Sequence, residues 1–153
     1  MSTILTKQCY ESLVEKLNNL RYVEQPKLSN QINECKQIGS LDDNMEYYQA
    51  LENADRLNKQ ITDLVMVLNN AKIFTNSMKR EDTVTFASTV EFVNCETNQS
   101  KKYTIVSMYD SNVEDGLISI NSPFAKEMIG LHTGDIFSFN DNDYEITNIY
   151  YSF

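Results

Sequence analysis

The chain has 153 residues, 41% of them hydrophobic and 23% charged, with a formal net charge of −9. That balance excludes wholesale disorder; without any run of Lys or Arg it also argues against a protein that tracks phosphate backbones by itself. The length suits one domain or two small ones. No segment approaches the ~18 successive apolar residues of a membrane span, and Met1 to Lys7 lacks a basic stretch leading into an apolar run, so a soluble, cytoplasmic chain with a protein partner is expected.

From Tyr10 to Lys72 the only helix breakers are Pro26 and Gly39. Leu13, Leu17 and Leu20 recur at helical spacing, and Leu28, Ile32, Cys35 and Ile38 resume the stripe after Pro26, which predicts a helix that Pro26 either kinks or restarts. Beyond Gly39 a heptad seam runs through Leu51, Ala54, Leu57, Ile61, Leu64, Leu68 and Ala71. Two apolar stripes of this kind satisfy each other when the chain folds back on itself. The register then sets Leu20 opposite Leu64, Leu13 opposite Ala71 and Ile32 near Leu51, with the turn at Gly39-Ser40-Leu41-Asp42-Asp43-Asn44. A hairpin that buries both seams internally favours a monomer.

After Ile73 the period changes from helical to alternating. Thr83–Phe86, Thr89–Val93, Lys102–Val106, Ile136–Phe139 and Tyr144–Ile149 read as strands, and polar residues Asn76 to Asp82 mark the boundary before them. Ser122-Pro123 followed by Gly130 has the capping serine, first-position proline and closing glycine of one short helix. The expected class is α+β: a coiled-coil hairpin over residues 1–75 with its tip at 39–47, a linker at 76–82, and a small α+β domain over 83–153.

The cysteines Cys9, Cys35 and Cys95 have no C-x-x-C spacing. Cys9 and Cys35 on one helical arm would lie about 39 Å apart, too far for a disulfide, so buried or half-buried thiols are expected. His132, the single histidine, leaves zinc without a ligand set. Asn140-Asp141-Asn142-Asp143-Tyr144-Glu145 has the composition of a calcium loop but not its glycine, and reads as a hairpin turn. Tyr47 and Tyr48, beside the seam, read as packing residues rather than a base-stacking platform.

Four blocks resemble the Gre family of bacterial transcription elongation factors. Leu5-Thr6-Lys7-Gln8-Cys9-Tyr10-Glu11-Ser12-Leu13 is similar to the family's LTxxGxxxL, and Gln25-Pro26-Lys27-Leu28 to its RPEI. Gly39-Ser40-Leu41-Asp42-Asp43-Asn44-Met45-Glu46-Tyr47 resembles the tip signature GDLKENAEY at Gly39, Leu41, Asn44, Glu46 and Tyr47. Ile118 to Gly130, followed by Gly134-Asp135, resembles ISxxSPIAxxLIG…GD, and contributes Ser122, Pro123 and Gly130.

The resemblance implies an N-terminal antiparallel coiled coil and an FKBP-like C-terminal domain that docks on RNA polymerase. It further implies that the hairpin passes down the secondary channel toward the nascent RNA 3′ end. The factor is then not itself an enzyme; it stimulates the polymerase's intrinsic cleavage of backtracked transcripts. Acids on the tip would hold a Mg²⁺ jointly with the polymerase, since that ion takes a few hard oxygen ligands and keeps its waters.

The family places acids at the positions of Ser40 and Asp43. Asp43 keeps a carboxylate, Ser40 only a neutral oxygen, and Asp42 adds an acid between them; Asp42 and Asp43 are the expected metal ligands, and both would also favour the N-terminus of the following helix. Of two arginines that the family carries near the transcript, Lys36 retains the charge and Leu51 does not. Ser40 keeps a second reading open, a cleavage-deficient regulator of the same channel, and a free-standing coiled-coil chaperone is a third.

Overall fold

The computed structural model describes residues 3–37 and 44–153, which divide into two compact units, one built on residues 7–72 and the other on residues 73–153 with 4–6. Its class is α+β, a long helical hairpin followed by a mixed-sheet domain.

The first unit holds α1 (Lys7–Asn19), a π-helical turn (Leu20–Glu24), α2 (Gln25–Gln37) and α3 (Met45–Asn69). Proline lacks the N–H that an α-helix needs, and its ring collides with the carbonyl four residues back. Pro26 lies in the first turn of α2, as expected of a restarting proline, but the arm does not break before it: the preceding turn widens, and the Gln25 N–H reaches the carbonyl of Leu20. That extra residue has a packing consequence. The interval from Leu20 to Leu28 exceeds the ~7.2 residues of two α turns, and the π turn takes up the excess, so both leucines face inward and are half-buried.

Leu13, Leu17 and Cys35 on the outgoing arm and Ala50, Leu57 and Leu64 on α3 are buried, giving the hairpin a thin apolar seam. The side-chain amide of Gln25 donates to Asn58 Oδ1 over 3.1 Å, and stepping equally along both helices from that pair leads to Ile32 and Leu51. The hairpin register near Ile32 and Leu51 is thus the expected one. Its base differs: Ala71 belongs to a strand, because α3 ends at Asn69 and the Asn70 N–H closes the last turn onto Leu68 and Met66.

β1 (Thr3–Leu5) and β2 (Ala71–Ile73) form a two-stranded sheet. The second unit is a five-stranded sheet in the order β5-β4-β3-β7-β6, from β3 (Ser88–Asn94), β4 (Ser100–Val106), β5 (Leu117–Ser119), β6 (Ile136–Phe139) and β7 (Asn142–Tyr151), with α4 (Pro123–Met128) against one face. Within this five-stranded sheet only β4 and β5 run parallel. Val90, Phe92, Ile105, Ile118, Ala125, Met128, Phe137 and Ile146 make the core between sheet and helix. Their alternation along each strand is what places them on one face.

Four of the five expected strands are present. Thr83–Phe86 is instead irregular: Val84 exchanges backbone bonds with Leu131 and Gly130, the Ser88 hydroxyl accepts from the Thr85 N–H and donates to the Thr85 carbonyl, and a turn begins at Phe86, with Ala87 at a φ of 73°. A local side-chain cap thus outcompetes the strand pairing that Val84 and Phe86 suggest. Residues 76–82 carry a short 3₁₀ turn at Asn76–Met78, and the Tyr151 hydroxyl accepts from the Arg80 N–H while donating to the Arg80 carbonyl. None of the three cysteines is in a disulfide; Cys9 and Cys35 are buried as expected, whereas Cys95 is exposed, in the turn after β3. Asn140 and Asp141, with φ of 50° and 64°, form the tight turn between β6 and β7 rather than a calcium loop.

Candidate functional site: the hairpin tip

The two helices leading to the tip are tied together at one residue. Asn44 sits at a non-helical φ of −88° and ψ of 90°, as an N-cap residue must. Its Oδ1 accepts from the Tyr47 N–H over 3.1 Å, satisfying one of the unpaired donors of the first turn of α3. Its Nδ2 donates to the Cys35 carbonyl over 2.8 Å, satisfying an acceptor in the last turn of α2. The amide carries its donor and its acceptor on separate atoms, so it can cap α3 and reach α2 at the same time; Ser or Thr would have to do both through one oxygen on a shorter stem, and Asp would cap without donating.

Around this bridge the side chains sort by role. Tyr47 is half-buried and its ring meets that of Tyr48 edge-on at 5.6 Å, which supports the packing reading of Tyr47. Glu46 is exposed in the first turn of α3, where a carboxylate suits the helix dipole. Lys36 is exposed in the last turn of α2, the favourable end for a cation. Met45 is 80% exposed, a large apolar side chain held in water beside the turn.

Gly39, Ser40, Leu41, Asp42 and Asp43 lie outside the described residues. Among the described residues no group of three or more His, Cys, Asp or Glu is arranged to hold a metal ion. Asp42 and Asp43 offer hard oxygen donors of the kind Mg²⁺ takes, and two carboxylates alone are fewer ligands than that ion needs.

Sequence reasoning named Asn44 as tip support but not its bond to Cys35. The signal was the short polar residue just before a helical stripe, which marks a cap; the partner across the turn had no mark in sequence.

In the second unit, Ser122 caps α4, its Oγ accepting from the Ala125 N–H over 3.3 Å and donating to the Ser119 carbonyl over 2.7 Å. Pro123 is at the first helical position, where its missing N–H costs nothing. Gly130 has a φ of 86° and gives its N–H to Val84. These three residues shape and anchor α4 as expected.

Residues 3–73 match the model of the family described as transcription elongation factor, N-terminal, and residues 79–151 that of transcription elongation factor, GreA/GreB, C-term. The chain belongs to the GreA/GreB family. Among its GreA/GreB relatives, the transcription elongation factor GreA of Helicobacter hepaticus is 33% identical over 96% of this chain and 93% of its own length. That of Helicobacter pylori strain Shi470 is 34% identical over 93% and 89%. Among solved structures, the GreA factor homolog 1 of Thermus thermophilus is 22% identical and covers 98% of this chain and 99% of its own, with a TM-score of 0.48. This GreA/GreB-family chain is a Gre-type transcription factor, and no helix among its described residues is long and apolar enough to cross a membrane.

Proposed function

We propose that this protein binds bacterial RNA polymerase through its C-terminal unit, inserts the hairpin into the secondary channel, and stimulates cleavage of backtracked transcripts by the polymerase's own active site. The observation that carries the reading is the Asn44 bridge, which ties the end of α2 to the start of α3 on either side of the segment bearing Asp42 and Asp43. A rigid collar of this kind is what delivering carboxylates into another protein's active centre requires, because misplaced ligands lose most of their effect.

Asp43 is the principal ligand-bearing residue and Asp42 assists it; Ser40 contributes a neutral oxygen. A Mg²⁺ held jointly with the polymerase would supply Lewis-acid polarisation and a polarised water at the transcript's scissile phosphate. Lys36, exposed one turn before the tip, brings a positive charge toward the RNA 3′ end. Tyr47 and Asn44 act on the geometry of the turn, not on the RNA. Incubating stalled, backtracked complexes with the protein and Mg²⁺ tests this: the RNA is expected to shorten from its 3′ end, and unchanged RNA at saturating factor overturns the reading.

Ser40 favours a second reading. With one acid of the family's pair replaced by a hydroxyl, the protein occupies the channel and alters pausing or initiation without adding cleavage. Normal polymerase binding with unaltered RNA length, together with new cleavage in Ser40→Asp, would select it.

A further inference from the structure

We propose that the outer edge of β4 in the C-terminal unit is a strand-addition site for an extended, acidic segment of a partner protein, whose apolar side chain enters the adjoining aromatic pocket. The site is separate from the hairpin tip and does not depend on the cleavage reading.

The edge follows from the pairing. β4 runs from Ser100 to Val106 and is covered along its inner side by β3. On its outer side β5 pairs only with Thr104, Ile105 and Val106. Thr104 gives its N–H outward, to the Gly116 carbonyl over 2.8 Å. A strand repeats every two residues, so the backbone groups of Lys102 and Ser100 face the same way. The Lys102 carbonyl has the same direction and already lies against Gly116, 3.3 Å from where a Cβ there would sit, so the open part of the edge is the Lys102 N–H and Ser100. No other backbone of the described residues pairs with this edge at Ser100 or Lys102.

A pocket lies on the sheet face that carries the side chains of Lys101 and Tyr103, one strand in from that edge. A cleft of about 110 Å³ is walled by the rings of Phe92, Tyr103, Phe124 and Tyr144, with Asn94, Lys101 of β4 and Gln99 just before it completing the lining. Phe92 lies 5.4 Å from both Tyr103 and Phe124, and Phe124 lies 5.7 Å from Tyr144, centroid to centroid, so the walls are fixed by ring-on-ring packing. Such a cleft suits one branched aliphatic side chain, which the rings desolvate.

Charge selects the segment. Lys101 and Lys102 are exposed, one on each face of the strand, and neither is in an ion pair among the described residues, Lys102 standing opposite Glu91 of β3, in a chain of net charge −9. Edge lysines normally repel a second identical strand, and the same charges attract a strand that carries carboxylates. Backbone pairing then supplies affinity and the pocket supplies choice, the usual division in strand addition.

The test is an NMR titration of the isotope-labelled full chain with a capped pentapeptide that has a central leucine and flanking aspartates. Expected are shifts confined to the amides of residues 99–104 and the rings of Tyr103, Phe124 and Tyr144. Leucine to serine in the peptide, or Lys101→Glu with Lys102→Glu in a chain whose spectrum is otherwise unchanged, should each weaken binding on the order of ten-fold. Of two peptides N-methylated at alternate nitrogens, one should bind and the other should not, as only a paired strand requires. Shifts elsewhere, indifference to leucine, or equal binding of both methylated peptides would overturn the proposal. So would shifts at 99–104 that follow protein concentration without peptide, which would mean a second copy of the chain occupies the edge.

Discussion

The side-chain amide of Asn44 donates to the backbone carbonyl of Cys35 across the mouth of the tip, 2.8 Å apart, while its oxygen accepts from the first turn of α3. One residue thereby caps a helix and fixes the gap between two. Asn44→Ala removes both bonds, and the capping bond alone is worth about 1 kcal/mol. The variant should melt at a lower temperature, measured by circular dichroism. Asn44→Ser should recover the capping part of that loss and still lower the cleavage rate, because nothing then holds Cys35.

Asp43→Ala isolates the proposed chemistry. Substitutions away from packed or capping contacts seldom change stability by more than about 0.5 kcal/mol, so the Asp43→Ala chain should bind polymerase and melt as the parent does while Mg²⁺-dependent cleavage disappears. Ser40→Asp should raise cleavage. Parental RNA shortening in Asp43→Ala would reduce that residue to a favourable charge near a helix start.

Asp82 predicts a pH effect in the C-terminal unit. Its Oδ1 accepts from the hydroxyl and the N–H of Thr133, and these bonds, the hydroxyl first, hold its carboxyl below the ordinary 3.8, with a smaller contribution from His132. A depressed folded-state value stabilises the fold above the unfolded-state value and loses that contribution as pH falls through the folded one. The parent should therefore lose stability below about pH 3.8, and Asp82→Asn should flatten that part of the curve. Melting temperature against pH for both chains is the measurement.

Gly130→Ala tests backbone conformation apart from packing. At a φ of 86°, with nothing within 4 Å of an added Cβ, the substitution meets no neighbour and costs only the left-handed backbone strain, about 1 kcal/mol. Chemical denaturation should show that loss with an unchanged slope.

Much of this arrangement was legible in the residues. Two apolar stripes gave the hairpin and its register, since a coiled coil has only one way to satisfy both, and Ser122, Pro123 and Gly130 marked α4 through local rules. Thr83–Phe86 misled because alternating Val84 and Phe86 look the same with or without a strand partner; the Ser88 hydroxyl caps Thr85 three residues back, and a lone serine does not announce that bond. β5 passed unnoticed because Leu117–Ser119 is too short to show a period. The π turn was hidden for a related reason: Pro26 announces a disturbance but not its form.

That turn also sets where the arm aims. Each residue of an α-helix advances about 1.5 Å and rotates about 100°, so removing one residue from Leu20–Glu24 would not simply shorten the probe. If the stripe at Leu28 stayed on the seam, the helix could straighten; if it did not, every side chain from Lys27 to Gln37 would swing to a new azimuth and Cys35 would turn away from Asn44. Reach and bearing of the arm are thus coupled through a single inserted residue, and lineages that differ in length at this point would have to re-aim their tips as well as resize them.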